Sequence, residues 1–373
     1  MIENLLPSSD TKPFYVSLER LRGVAALMVA LFHVSLTEYT DSAGHVRNLI
    51  TREHGSLVER SFWILGNGPG AVILFFGLSG FVLTLVLNSR PLGTEAEQAS
   101  TFLVSRVFRL YPAVFSSISL MASVNIIWHQ ETSTWHRYLL NALLIESSIN
   151  SVTWSLQLEL CAAPMVLLIF LAYKRWSMQA LYIPYIIFFG LSFVGFWNHL
   201  IGPPNSFGQL YTFVPGMIAF LHGPSIVKRL KHPRLILIGC IVLFALARPT
   251  IGWSSYWTIF VESTLGAIII ALLAFAPSRP IRGKVQNILQ FYGRISFSFY
   301  LLHGACMHLL PPLLPSIQTL INLGYSPVLM SVTLFVLTTI AVTPVALFQY
   351  RYVELLFIRW GKLIILHRAV LTI

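Results

Sequence analysis

The chain is dominated by apolar stretches that are each long enough to cross a lipid bilayer. A transmembrane helix needs about 17 to 25 mostly apolar residues. Ten such stretches can be placed along the sequence, at residues 18–37, 64–87, 107–128, 153–173, 179–199, 207–223, 234–250, 256–276, 295–313 and 326–348. The run from Leu139 to Ile145 is too short to cross, and we expect it to be interfacial or re-entrant. The pattern predicts an all-α, polytopic membrane bundle of about ten transmembrane helices.

Composition excludes a soluble enzyme and a metal centre built on cysteine. Only 10% of the residues are charged, against about 25% in soluble domains. Cys161, Cys240 and Cys306 lie in separate apolar runs without metal-type spacing, so neither a disulfide framework nor a metal site is expected. The net charge of +11 is attributed to topology and anionic lipid rather than to nucleic-acid binding, because the chain has so many predicted spans.

Lysine and arginine are distributed unevenly between the two sides of the predicted bundle. Cytoplasmic loops of membrane proteins accumulate these residues. With the N-terminus placed inside, 20 of the 25 lysines and arginines fall on the cytoplasmic side and 5 fall on the outer side. The bias predicts that both termini are cytoplasmic and that the protein is a multi-pass protein of the plasma (inner) membrane.

Arg22 and His33 lie in the first apolar stretch, where ionisable side chains are costly and are therefore candidates for function. Eleven residues of helix complete almost three turns, so both side chains share a face and lie about 16 Å apart along the axis. Imidazole takes a proton near neutral pH, which suits His33 to act as a general base on a hydroxyl. The alternative is a histidine that is hydrogen-bonded in the bundle interior.

Two acidic residues within predicted spans are candidates to orient His33 and to stabilise its protonated form. Glu159 lies about 9 Å from the outer end of the fourth span. Glu262, on the eighth span, reaches a similar depth and is the rival. Either residue is alternatively a buried structural carboxylate, paired with a hydroxyl or an arginine.

Other polar and aromatic residues are candidates for binding the substrates. Arginine binds phosphate in a bidentate manner, so Arg22, Arg106, Arg109 and Arg294 are candidates for a phosphate-binding ring at the cytoplasmic side, although positive-inside anchoring explains each of them equally well. On the acceptor side we expect an aromatic floor of Trp154 and Trp257, together with Ser155 and Glu262, although a one-sided anchor belt explains the tryptophans equally well. Tyr300 and His303 are candidates to line a donor channel, the alternative being buried core residues with satisfied hydrogen bonds.

Five segments in order resemble the signatures of the acyltransferase-3 family of integral membrane O-acyltransferases. They are LERLRGVAALMVALFH (18–33), FFGLSGF (75–81), RVFRLYP (106–112), TWSLQLE (153–159) and GRISFSFYLLH (293–303). The resemblance covers about residues 15–360 and implies one membrane-embedded acyltransferase domain. It implies transfer of an acyl group, commonly acetyl, from cytoplasmic acyl-CoA to a hydroxyl of a glycan or similar acceptor, without a tightly bound cofactor.

The resemblance also implies roles for particular residues. The family requires the arginine and the histidine that match Arg22 and His33, and the pair that matches Arg106 and Arg109 is implicated as well. The family pattern at the end of the last span is Glu-x-Pro-Phe, whereas Glu354 is followed here by Leu-Leu-Phe, which weakens the case for Glu354. About 25 residues follow the last predicted span, so we expect no soluble C-terminal domain.

A proton-coupled transporter or flippase is the competing function. In such a protein, buried histidine and glutamate residues form a proton relay. Interrupted helices in corresponding halves of the chain are the usual sign of a transporter, and the sequence does not display them.

Overall fold

The computed structural model describes residues 13–41, 44–50, 56–89, 94–129, 134–195, 206–277, 283–309 and 316–371. The described part of the chain is almost entirely helical. Its α-helices are α1 (Pro13–Ser35), α2 (Leu57–Leu65), α3 (Gly68–Asn88), α4 (Glu95–Val124), α5 (Trp135–Ala142), α6 (Trp154–Trp176), α7 (Gln179–Leu191), α8 (Phe213–Lys228), α9 (Pro233–Ile251), α10 (Tyr256–Phe275), α11 (Lys284–Leu309), α12 (Ile317–Asn322), α13 (Pro327–Gln349) and α14 (Leu355–Leu371). Short 3-10 turns precede α6 and α8, and π-helical segments follow α4 and α13.

The apolar stretches fold into the predicted helices. Seven helical segments of the described chain are long and apolar enough to cross a membrane, and α7 is a shorter apolar helix. The helices α1 and α11 are comparably long, but they contain more polar and charged residues. A helical membrane bundle is therefore confirmed, whereas the count of ten spans and the orientation of the termini stay predictions. At the run that is too short to cross, the structure has α5, an eight-residue helix with Trp135 exposed.

A small antiparallel hairpin follows α1. Strand β1 (Glu38–Thr40) pairs with β2 (Val46–Asn48), with Tyr39 opposite Arg47. The side chain of Gln318, on α12, accepts a hydrogen bond from the Thr40 amide and donates one to the Thr40 carbonyl, each at 2.8 Å. The hairpin is thereby held against α12.

The helices α1 and α11 run side by side in the same direction and pack closely along their length. A Cβ atom added at Gly23 would overlap the Leu289 carbonyl, and one added at Gly293 would overlap the Glu19 carbonyl. The two glycines therefore allow the backbones to approach closely, which is the usual role of small residues between membrane helices. The close approach places Arg22 and His33 beside residues of α11.

Glycines also bring α3 against α8. A Cβ atom at Gly80 would overlap the Phe213 carbonyl, and one at Gly216 would overlap the Gly77 carbonyl. Phe76 and Phe213 stack beside this crossing with their ring centroids 4.9 Å apart. Gly77 and Gly80 of α3 thus serve close helix packing.

Candidate active site

A cavity lies among α1, α3, α4, α6 and α11. It encloses about 750 Å³ of empty space, part of which opens to solvent. Apolar side chains, among them Phe75, Phe76 and Phe297, form much of its wall. Its polar lining consists of Arg22, Ser79, Arg106, Arg109, Ser155, Glu159, Ser296 and Tyr300. Six of the residues singled out from the sequence are therefore brought together at one site.

Three arginines line the cavity. Arg22 donates through Nε to the hydroxyl of Ser296, on α11, at 3.2 Å. Arg106 is buried, and its guanidinium lies 5.9 Å from the centre of the Phe102 ring, one turn earlier on α4. Arg109 follows one turn later and lines the same cavity. Three of the four arginines that were predicted to form a ring thus line one cavity, and the fourth, Arg294, does not.

Glu159 lies on the α6 side of the cavity. Its Oε1 accepts a hydrogen bond of 3.0 Å from the hydroxyl of Ser79, on α3. Electrostatic interaction connects this carboxylate to Arg22. The contact joins α3 to α6 and places the carboxyl group of Glu159 in the cavity that the three arginines line.

Tyr300 and Ser155 form a second polar group on the cavity wall. The Tyr300 hydroxyl lies 2.8 Å from the Ser155 hydroxyl and donates to the Val152 carbonyl at 3.0 Å. Both side chains are buried. These contacts fix α11 against the start of α6, so the tyrosine ring has a defined position beside Phe75.

His33 is paired with His303 rather than with a carboxylate. His33 Nδ1 lies 3.0 Å from His303 Nε2 and 3.1 Å from the Val29 carbonyl oxygen. His303 Nδ1 lies 2.6 Å from the Tyr300 carbonyl oxygen. His33 is therefore connected to the cavity through His303 and Tyr300, although it does not line the cavity itself.

The two acidic residues that were candidates to orient His33 bond to other residues in the described structure. Glu159 is bound to Ser79, as described above. Glu262 is fully buried and pairs with Arg248 at 2.7 Å and with the Asn67 amide at 2.8 Å. Among the described contacts, neither carboxylate has a hydrogen bond with His33. For Glu262, the structure agrees with the alternative of a buried structural carboxylate.

Three other candidates lie outside the cavity lining. Arg294 is exposed, with its Nε 3.8 Å from a Glu19 oxygen. Trp154 packs edge-on against Phe76. Trp257 is 56% exposed and contacts Phe189. Among the described ring contacts none joins the two tryptophans, and their arrangement as one aromatic floor stays a prediction.

The structure adds Glu354 to the candidate residues, although its altered sequence motif had counted against it. Glu354 is 5% exposed in the π-helical segment Tyr350–Glu354. It accepts from the Ser298 hydroxyl at 3.2 Å and interacts electrostatically with Arg109 and Arg22. Single-turn π-helices are frequent at functional sites. The sequence signal for Glu354 was its match to the glutamate of the family pattern at the end of the last span, and the departure from that pattern after Glu354 reduced the weight of the signal.

Among the described residues, no group of three or more histidine, cysteine, aspartate or glutamate side chains is arranged to hold a metal ion. The sequence model of a family described as an acyltransferase domain matches residues 15–350. No curated protein and no solved structure matches the chain.

Proposed function

Since the chain belongs to the acyltransferase-3 family and is accordingly a multi-pass membrane acyltransferase, we propose that it transfers an acetyl group from acyl-CoA to a hydroxyl. The acceptor is a glycan or a similar molecule of the cell envelope. The donor is a co-substrate, and no tightly bound cofactor takes part. The observation that carries the proposal is the presence of Arg22, Arg106 and Arg109 in one largely apolar cavity.

The chemistry of the cavity suits the donor. Guanidinium groups bind phosphate through paired, charge-assisted hydrogen bonds, so the three arginines hold the phosphates of CoA. The apolar wall beside them, which includes Phe75, Phe76 and Phe297, accommodates the thin pantetheine arm. The thioester then lies beyond the phosphates, in the direction of Tyr300 and His33.

His33 supplies the proton transfer. Its imidazole takes the proton from the acceptor hydroxyl while the oxygen attacks the thioester carbonyl carbon. The new C–O bond forms, the C–S bond breaks, and the departing thiolate takes the proton from His33 to give CoA with a free thiol. The histidine is regenerated, and no oxidant or reductant is needed.

The proposal also assigns the two substrates to opposite sides of the membrane. The arginines lie at the side that the charge bias predicts to be cytoplasmic, whereas His33 lies near the other end of α1. Acyl-CoA accordingly enters from the cytoplasm and the acceptor from the outer side of the plasma (inner) membrane. This arrangement agrees with the predicted ten-span topology, in which both termini are inside.

Acyl transfer by the purified protein in lipid tests the proposal. With radiolabelled acetyl-CoA and a cell-envelope glycan fraction, the wild type should label the glycan, and His33→Ala should lower the rate by about 10²- to 10⁴-fold, the usual effect of losing a general base. Arg229→Ala removes an exposed arginine that does not line the cavity and should retain the rate. Absence of both CoA release and label transfer by the wild type would contradict the proposal.

A further inference from the structure

We propose that His303 is a positioning residue for His33: it accepts the Nδ1 proton of His33 in a hydrogen bond and so leaves Nε2 as the basic nitrogen. The inference rests on the proposed function of His33 and names the group that performs the role expected of a carboxylate. The juxtaposition that carries it is the series Tyr300 carbonyl, His303 and His33, joined by contacts of 2.6 and 3.0 Å.

The tautomer of His303 follows from its backbone contact. A carbonyl oxygen has no proton to donate, so His303 Nδ1, 2.6 Å from the Tyr300 carbonyl, carries the proton of that hydrogen bond. In a neutral imidazole the other nitrogen is then an acceptor. His303 is 1% exposed, and burial favours the neutral form because an isolated charge is costly to desolvate. Its Nε2 therefore presents a lone pair.

The tautomer of His33 follows in turn. Its Nδ1 faces two acceptors, the lone pair of His303 Nε2 at 3.0 Å and the Val29 carbonyl at 3.1 Å. If Nδ1 were unprotonated, its lone pair would face the lone pairs of both acceptors, which is repulsive. A proton on Nδ1, shared between the two acceptors, satisfies every group in the series. His33 Nε2 then carries the lone pair that a general base needs.

The pair of His33 and His303 differs from a histidine–carboxylate pair because the orienting group, an imidazole, is uncharged. A carboxylate in an apolar interior costs several kcal/mol unless it is well paired, and a neutral imidazole avoids most of that cost. When His33 becomes protonated on Nε2, its Nδ1–H becomes a stronger donor, and His303 Nε2 is in place to accept from it. Glu159 and Glu262 are engaged with Ser79 and Arg248 instead, so neither of them is required for this step.

Two variants of His303 test whether its side chain orients His33 or only fills space in the bundle. Gln can place an acceptor oxygen near the position of the histidine Nε2, whereas Leu fills similar space without an acceptor. His303→Leu should lower kcat with acetyl-CoA and the glycan fraction by at least about tenfold, while the KM for acetyl-CoA changes less than threefold. His303→Gln should recover most of the lost kcat. Equal kcat in the Leu variant and the wild type, or equal loss in both variants, would overturn the inference.

Solid-state NMR of the full chain in lipid, with isotopically labelled histidine, provides a readout that does not depend on activity. The 11 histidines are assigned by comparison with His33→Gln and the His303 variants. We expect His33 to be protonated on Nδ1, with a nitrogen resonance that changes in His303→Leu and is largely retained in His303→Gln. Protonation of His33 on Nε2 would overturn the inference. The expected NMR result without any acyl transfer would instead contradict the proposed function alone.

Discussion

At the scale of single residues, the cavity combines three arginines with carboxylates that offset part of their charge. Glu159 lies on the wall, and Glu354 lies nearby in electrostatic contact with Arg22 and Arg109. Mutually repelling guanidiniums are costly to hold together, and the carboxylates reduce that cost. In the proposed function, the anionic donor would add the remaining negative charge when it binds.

Replacing Arg109 should weaken donor binding more than it slows the chemistry. A hydrogen bond to a charged group is worth about 1.5–3 kcal/mol, so Arg109→Ala should raise the KM for acetyl-CoA by roughly tenfold or more, with kcat changed only a few-fold. Steady-state kinetics at varied acetyl-CoA measure both constants.

Two other arginines serve as controls for Arg109. Arg229→Ala should leave the KM unchanged, because Arg229 is exposed at the end of α8. Arg294→Ala should have an effect smaller than threefold, because Arg294 lies outside the cavity lining, beside Glu19. A KM for Arg109→Ala equal to that of Arg229→Ala would contradict the assignment of Arg109 to the donor site.

The sequence alone identified those site residues whose ionisable side chains are energetically costly in a membrane helix. Arg22 and His33 stand out because membrane helices rarely retain ionisable side chains. The choice between Glu159 and Glu262 as partner of His33 could not be settled, because depth along a helix does not specify the direction in which a side chain points. His303 was expected to line a donor channel. Its contact with His33 could not be predicted, because the spacing of residues along two helices does not specify which ring nitrogens face each other.

At the scale of helices, the hairpin of α9 and α10 is held together by a buried ion pair. Arg248 and Glu262 are 5% and 0% exposed, and their closest atoms are 2.7 Å apart. Arg248 also donates to the Trp253 carbonyl in the connecting loop. Asn67, at the start of α3, donates to the same carboxylate, so the pair connects three helices.

Removing one partner of this pair should destabilise the protein more than removing both. Glu262→Leu leaves Arg248 as an uncompensated buried charge, which costs about 3–5 kcal/mol. The double variant Arg248→Met, Glu262→Leu should recover part of that loss. Thermal unfolding in detergent measures the difference, and a double variant that unfolds below Glu262→Leu would contradict the structural role assigned to the pair.

The close packing of α1 on α11 makes Gly293 a sensitive position. Gly293→Ala forces the backbones apart, because the new Cβ atom overlaps the Glu19 carbonyl. We expect a loss of roughly 1–3 kcal/mol from overpacking, together with lower activity, since the same helices align Arg22 with Ser296 and His33 with His303. Thermal unfolding and the transfer rate measure these effects.

Gly239, on α9, provides a matched control for Gly293. An added Cβ atom meets nothing within 4 Å there. Gly239→Ala should be neutral, or stabilising by about 0.5–1 kcal/mol through helix propensity. Equal stability of the two alanine variants would show that the contact between Gly293 and Glu19 does not limit the packing.

At the scale of the whole molecule, the helical bundle follows from the apolar stretches, each of which contains a helix within its described residues. The helices α1 and α11, which are not among the seven long apolar segments, hold His33, Ser296, Tyr300 and His303. Length and hydropathy are less informative for these two helices because they contain polar and ionisable residues that lipid disfavours. The orientation in the membrane was predicted from the charge bias between loops, and contacts between helices do not test that prediction.

Transfer across a sealed membrane tests the central claim most directly. The protein is reconstituted into vesicles in which Val46 and Arg229, both exposed in the structure, are replaced in turn by cysteine to report the orientation. Radiolabelled acetyl-CoA is supplied only on the Arg229 side, and the glycan fraction only on the Val46 side. The account predicts that the glycan becomes labelled and that His33→Ala abolishes the labelling. Labelling only when donor and acceptor share one side would contradict the account.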